Sequence, residues 1–169
     1  MLALALFGSV RLTLGRLRML TRFVTLALAF VSVAGLISRV LPHLWPTASG
    51  FFVDRLNYPP TYRNAEGMVA AIALLLGLHL SADPAEPRSV RVLAAGTMPA
   101  VAATLLFTFS RGALGAVVVG LVVYCLLTRL HTLPATLLAV VAPVAIALRS
   151  AWDPTLLAGK DPTSPQAVA

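Results

Sequence analysis

The chain has 169 residues, of which 59% are hydrophobic and only 11% are charged. Soluble proteins have roughly 45–50% apolar and about 25% charged residues, and a domain of this size still exposes much of its surface. The composition therefore excludes a soluble globular protein, a disordered chain and a disulfide scaffold, and it indicates an integral membrane protein. The net charge is +7, and twelve of the thirteen basic residues are arginines placed between apolar runs. This distribution favours lipid headgroups as partners and argues against nucleic acid.

Residues 1–22 combine a short apolar run with a basic N-terminal segment. Residues 1–10 are apolar, but a spanning helix needs about 20 such residues. The arginines follow the apolar part, whereas in a signal peptide they precede it. Two interpretations stay open, a basic interfacial helix or the end of a missing span, and we favour the second.

Five apolar stretches predict membrane-spanning helices, over about 23–41, 65–82, 92–109, 112–128 and 133–148. The third and fourth come from one stretch, 92–128, whose only charge is Arg111. As one helix it would be about 55 Å long, nearly twice the hydrocarbon thickness, so we expect it to fold back at 110–112. The predicted fold is an all-α polytopic transmembrane helix bundle with about five spans over 23–149. Residues 150–169 then form an extracytoplasmic tail that begins a truncated loop.

The arginine distribution predicts the orientation. Residues 11–22 carry four arginines, which the positive-inside rule places in the cytoplasm. Counting spans then puts residues 42–64 and 110–112 outside, so we expect a multi-pass protein of the cytoplasmic (inner) membrane with a cytoplasmic N-terminus. The outer side then contains Arg55, Arg63, Arg111, Arg149 and Lys160, and the rule gives no reason for so many basic residues there.

Arg111 is the clearest functional signal. A charge at membrane depth costs about 2.5 kcal/mol or more to insert, so such residues are usually paired, water-facing or functional. Ser110 is a good N-cap for the helix that follows, and the free N–H groups and dipole of a helix N-terminus attract anions. A guanidinium adds donors suited to phosphate oxygens. The residue marks either an outward-facing anion site or a plain turn in which Arg111 reaches the headgroups.

A second candidate region, residues 55–67, precedes the second span. It contains two tyrosines, two prolines, Arg55 and Arg63. Asn64 can cap the helix, which leaves Glu66 in the first turn, where a carboxylate is favoured. The region is either an interfacial aromatic belt with a stabilised helix start, or a binding mouth for a sugar or lipid headgroup with Arg63 as a second cation near Arg111.

Residues 105–113 read LLFTFSRGA, and the segments RLNYP (55–59) and YRNAEG (62–67) precede the second span. These segments resemble the LLLTxSRGA and RLxYP…NAxG signatures of the bacterial O-antigen ligase and polymerase family, and the resemblance covers about residues 20–169. It implies a polytopic membrane glycosyltransferase of the GT-C type. Such enzymes take a polyprenyl-pyrophosphate-linked glycan at the outer face of the inner membrane and transfer it to lipid A core, to another repeat unit or to protein.

The resemblance also implies that outward-facing arginines bind the pyrophosphate leaving group and that neither a metal nor a cofactor is required. Arg111 corresponds to the arginine of the SRG motif, and we expect it to be catalytic. The expected substrate-binding residues are Arg111, Ser110, Arg63, Arg55 and Glu66. The expected partners are the lipid-linked glycan and the lipid bilayer, with other membrane subunits as further candidates.

The chain also departs from the family pattern. The family has more spans, and its large outer loop with a histidine would begin where this chain ends, yet no histidine follows His131. We therefore expect a partial chain that lacks the catalytic outer loop, with ligase and polymerase both open. The alternative is a small non-enzymatic multi-span membrane protein, such as a transporter subunit or an assembly factor.

Overall fold

The described part of the chain is helical. The computed structural model describes residues 13–41, 62–128 and 132–152, and within them the regular structure consists of helices without a strand. The helices are α1 (Leu14–Val40), α2 (Arg63–Ala82), α3 (Arg88–Phe107), α4 (Arg111–Leu127) and α5 (Leu133–Ala151). The prediction of an all-α helix bundle is confirmed.

Four of these helices, α1, α2, α3 and α5, are long and apolar enough to cross a membrane. The remaining helix, α4, is apolar but has 17 residues. At 1.5 Å per residue it measures about 26 Å, slightly less than the roughly 30 Å of hydrocarbon. By length and composition, the chain is a multi-pass helical membrane protein.

The first helix begins at Leu14, whereas the sequence predicted a span from Phe23. Thr13 is its N-cap, and the Thr13 hydroxyl accepts a hydrogen bond from the Arg16 amide at 3.4 Å. No proline interrupts residues 14–22, so the basic segment continues into the span as one helix of 27 residues. Such a helix is about 40 Å long and exceeds the hydrocarbon thickness, which leaves its arginine-bearing start for the headgroup region. Residues 1–12 lie outside the described residues.

The long apolar stretch folds back close to the predicted position. Helix α3 ends at Phe107 and α4 begins at Arg111, so three residues, 108–110, make the turn. The two helices run antiparallel, which is the solution that the length of the stretch required.

Helix α2 is central in the bundle and packs against α1, α3 and α4, while α5 packs mainly on α3. Its alanines Ala70 and Ala73 share a buried cluster with residues of three other helices: Ala29, Val101, Leu105 and Ala113. Small side chains allow the helix backbones to approach closely, which is a common way to hold membrane helices together.

The helices alternate in direction, so the bundle has two distinct ends. At one end the Arg22 Nε and a Glu86 carboxylate oxygen form an ion pair at 2.7 Å, and the Arg91 Nε donates to the Ser81 carbonyl at 3.1 Å. We call this the Glu86 end. At the other, the Ser110 end, the Arg39 guanidinium lies 5.2 Å from the centre of the Phe107 ring. This alternation agrees with the predicted order of spans and leaves open which end faces the cytoplasm.

Candidate anion-binding site

The turn between α3 and α4 is fixed by its own side chains. The Thr108 hydroxyl donates to the Leu105 carbonyl at 2.7 Å and accepts from the Ser110 amide at 3.3 Å. Between them Phe109 has a φ of 49°, a left-handed conformation that costs a residue other than glycine about 1–2 kcal/mol. The hydrogen bonds and the packing of the turn hold it in this conformation.

Ser110 caps α4 as the sequence predicted. Its side chain accepts a hydrogen bond from the Ala113 amide at 3.3 Å and is buried. Arg111 is the first residue of the helix and is exposed. Since the first amides of a helix have no intrahelical acceptor, they and the Arg111 guanidinium offer donors to an anion at the same place.

The first turn of α2 is pressed against this turn. A Cβ atom placed on Gly67 would lie 2.8 Å from the Ala113 Cβ, 3.0 Å from the Ser110 Cβ and 3.1 Å from the Thr108 Oγ1. All three distances are shorter than ordinary contacts, so only glycine fits at this position without a shift. The two segments singled out from the sequence, 62–67 and 105–113, therefore meet in the structure.

Glu66, next to Gly67, is fully buried at 0% exposure. Neither of its carboxylate oxygens has a hydrogen-bond partner. The predicted position in the first turn of α2 is correct, but the side chain does not point into solvent, where a substrate would reach it. In this conformation the carboxylate belongs to the core of the Ser110 end.

The predicted cap of α2 differs from the observed one. The N-cap is Tyr62, which makes no side-chain capping bond, and its carbonyl accepts from the Ala65 and Glu66 amides at 2.9 and 3.1 Å. Asn64 lies inside the helix, and its side-chain amide donates to the Tyr62 hydroxyl at 2.8 Å. The helix starts earlier because its backbone turn is closed by Tyr62 and does not need a side-chain acceptor.

Of the two other predicted cations, the structure describes the backbone of Arg63 and does not describe Arg55. The backbone of Arg63 begins α2 and lies at the Ser110 end, while Arg55 falls outside the described residues. Sequence reasoning missed Arg39, which is in the last turn of α1 and half-buried over Phe107. Arg149 is in the last turn of α5. Span counting had already assigned Arg149 to the side of Arg111, whereas the available signal for Arg39 was an arginine at the end of an apolar run on that same side.

A separate cavity of about 370 Å³ lies between α2 and α4, toward the Glu86 end. Its walls are mostly leucine and valine side chains, and its polar margin is formed by His79 and Tyr124, whose Nδ1 and hydroxyl oxygen are 3.1 Å apart. This cavity is at the far end of α4 from Arg111, and its chemistry is that of a lipid-facing groove. Within the three described ranges, no three histidine, cysteine or acidic side chains come together to hold a metal ion.

Comparison of the chain with models of protein families, with curated proteins and with solved structures finds no match in any of the three.

Proposed function

We propose that the chain is part of a membrane glycosyltransferase similar to the O-antigen ligases and polymerases. It would bind a polyprenyl-pyrophosphate-linked glycan at the outer face of the cytoplasmic membrane, with the Ser110 end outward. The single observation that carries the proposal is the contact of Gly67 with the Ser110 turn. Two segments whose sequences resemble one family's signatures, and which are far apart in the chain, form one site.

The chemistry of the site supports an anionic ligand. Arg111 is exposed at the N-terminus of α4, whose first turn is capped by Ser110, and Arg39 and Arg149 stand in the last turns of two other helices at the same end. An arginine fork and free helix amides are suited to phosphate oxygens. In glycosyl transfer the bond between the sugar and the pyrophosphate breaks, and negative charge develops on the departing pyrophosphate. Arg111 would stabilise that charge, which is the electrostatic contribution that often dominates catalysis.

The test is the binding of a polyprenyl pyrophosphate to the protein in lipid nanodiscs. Arg111→Ala removes a charge-assisted contact worth about 1.5–3 kcal/mol, which corresponds to a loss of affinity of roughly ten- to hundred-fold. Arg88→Ala is a matched control because Arg88 is also an exposed arginine at the first residue of a helix, but at the Glu86 end. Equal binding by the two variants would contradict the proposal.

A second arm measures the function in the source cell. There, Arg111→Ala is expected to cause lipid-linked glycan to accumulate at a normal level of the protein, whereas Arg88→Ala is expected not to. An unchanged glycan pool would instead favour the second candidate, a small non-enzymatic membrane protein such as a transporter subunit or an assembly factor. The observation in its favour is Glu66, because a buried acid inside a spanning segment is typical of proteins that move ions or substrates.

A further inference from the structure

A groove runs along the outer face of α2, between α1 and α4. Both helices pack against α2, whereas neither packs extensively against the other. Met68 and Ile72 of α2 are each 43% exposed. Leu76, His79 and Asp83 continue the same face of α2, because residues three or four positions apart are neighbours on a helix surface. The floor of the groove therefore extends from the Ser110 end to the Glu86 end.

At the Glu86 end the groove includes a polar crevice of about 170 Å³. One wall is the start of α1, with Leu14, Leu17 and Arg18, and the other is the end of α2 with Asp83. His79 lines both this crevice and the apolar cavity of about 370 Å³ between α2 and α4. The two cavities are therefore neighbours on one face of α2, and one is polar while the other is apolar.

The crevice lies at the level of the lipid headgroups. Helix α1 is about 40 Å long and exceeds the hydrocarbon thickness, so its first turns extend into the headgroup region. The apolar cavity lies deeper, between the spanning part of α2 and the last turns of α4. A molecule that fills both cavities has a polar head and an apolar chain, which is the structure of a membrane lipid.

The charges of the crevice indicate the class of headgroup. Glu86 is neutralised by Arg22, whose Nε lies 2.7 Å from its carboxylate. Within the described ranges, Arg18 has no ion-pair partner. The Asp83 Oδ1 accepts from the Ala85 amide at 2.9 Å, and its Oδ2 accepts no hydrogen bond from the described residues. The crevice therefore offers a ligand one cation and one anion.

We propose that this groove binds a phospholipid whose headgroup carries a phosphate and a primary ammonium group, as in phosphatidylethanolamine. The Arg18 guanidinium donates to the phosphate, and the Asp83 Oδ2 accepts from the ammonium. One acyl chain occupies the apolar cavity between α2 and α4. Because the surrounding hydrocarbon is as apolar as this cavity, the chain gives little selectivity, and the headgroup contacts determine which lipid binds.

The other arginines of the Glu86 end do not change this balance. The Arg91 Nε donates to a backbone carbonyl of α2 at 3.1 Å, and neither Arg16 nor Arg88 lines the crevice. An anionic headgroup without an amine would pair with Arg18 and leave Asp83 without a cation. A choline headgroup has the positive charge, but its nitrogen has no N–H group to donate. The primary ammonium is the group that satisfies both charged residues.

The lipid site does not rest on the proposed function, since it lies at the opposite end of α4 from Arg111 and requires no glycan. A lipid in the groove contacts both α1 and α4, two helices that have little direct packing with each other. The lipid therefore connects them through α2.

The test is the identity of the lipid that the full chain retains. The protein is transferred into detergent from nanodiscs that contain equal amounts of phosphatidylethanolamine, phosphatidylcholine and phosphatidylglycerol with identical acyl chains, and native mass spectrometry measures the bound lipids. We expect phosphatidylethanolamine to be retained over each of the others by roughly two- to five-fold, the range of an ion pair at a solvated position. The N-methyl and N,N-dimethyl derivatives should give intermediate values, because each methyl group removes one donor.

Two substitutions test the headgroup contacts. Asp83→Asn should abolish the preference for phosphatidylethanolamine over phosphatidylcholine, while its amide oxygen can still accept from the Ala85 amide. Arg18→Ala should lower the retention of both lipids, because both carry the phosphate. Arg16→Ala is the matched control, since Arg16 is also an exposed arginine in the first turns of α1 but does not line the crevice.

A third substitution tests the site of the acyl chain. Val123→Phe places a larger side chain in the apolar cavity and should reduce the retention of phosphatidylethanolamine. Val118→Phe is its control, because Val118 is also exposed on α4 but does not line the cavity.

Three results would overturn the proposal. The first is equal retention of the three lipids by the wild-type protein. The second is a preference of the wild-type protein for phosphatidylglycerol, since the site would then select an anionic headgroup. The third is a preference for phosphatidylethanolamine that persists in Asp83→Asn. The wild-type protein gives the first two results even if a variant does not fold.

Discussion

Replacement of Gly67 by alanine tests the central contact of the site. The new methyl group would lie 2.8 Å from the Ala113 Cβ and 3.0 Å from the Ser110 Cβ, whereas carbon atoms in contact are normally about 3.5–4.0 Å apart. The α2 backbone or the turn must therefore move by roughly 0.5–1 Å, and overpacking of this kind costs about 1–3 kcal/mol. An alanine in a helix recovers about 1 kcal/mol of propensity, so the net loss in the free energy of unfolding is between zero and about 2 kcal/mol.

The matched control is Gly96→Ala in α3. A Cβ on Gly96 would meet no atom within 4 Å, so this variant gains the propensity term without the clash. Unfolding of both variants, measured by titration with a denaturing detergent in mixed micelles, should show Gly67→Ala less stable than Gly96→Ala by about 1–3 kcal/mol. Binding of polyprenyl pyrophosphate should also weaken in Gly67→Ala, because the turn that holds Arg111 is displaced.

A compensating change separates the clash from other effects. Ala113→Gly removes the nearest methyl group, so combining it with Gly67→Ala should restore part of the lost stability, although Ser110 remains 3.0 Å away. In a double-mutant cycle this appears as a coupling energy of 0.5 kcal/mol or more, about the lower bound for residues in contact. The reasoning is refuted if Gly67→Ala is as stable as Gly96→Ala and shows no coupling with Ala113→Gly.

Three further predictions concern the two ends of the bundle. Arg22→Ala should lower the free energy of unfolding by on the order of 1–3 kcal/mol, because it strands the buried Glu86 carboxylate; adding Glu86→Gln should reduce the loss, and an unchanged loss would show that the ion pair is not its cause. Ser110→Ala should cost about 1 kcal/mol through the lost cap and speed hydrogen exchange at the Ala113 amide, whereas unaltered exchange would mean that the cap is not formed. Phe109→Asn should raise stability by up to about 1 kcal/mol, since asparagine tolerates positive φ; a thermal unfolding scan that shows a loss would indicate that the ring contributes more than the backbone conformation costs.

The spans could be predicted because hydrocarbon thickness sets the length of a helix independently of its neighbours. The same length argument located the break near Ser110. Ser110 was predicted as the N-cap because serine is a favoured capping residue and precedes the next apolar run. The start of α1 at Leu14 was missed, because hydropathy detects where a chain leaves the hydrocarbon and not where its helical hydrogen bonds begin. The missed cap at Tyr62 has a similar cause: a favourable side chain at Asn64 was visible, but a turn closed by a backbone carbonyl has no residue signature.

The contacts across the bundle could not be derived in this way. The meeting of Gly67 with Ser110 and the position of Arg39 over Phe107 both depend on how four helices, α1 to α4, are rotated about their axes. Hydrophobicity does not fix that rotation when every face of a helix is apolar. The family resemblance suggests that the two motifs act together. That Gly67 is the contact point between them, and that Glu66 is buried, could be learned only from the packing of the helices.

The three-residue connection between α3 and α4 also has a consequence for biogenesis. A connection this short holds the two helices side by side from the moment they form, so they would enter the bilayer as a helical hairpin in one step. With the Ser110 end outward, as proposed, only residues 108–110 and the first turn of α4 must be carried across, and Arg111 is the one charge among them. The residue proposed to hold the pyrophosphate would therefore also contribute most of the free-energy cost of moving this hairpin across the membrane. Arg111 would thus affect the insertion of the protein as well as the binding of its substrate.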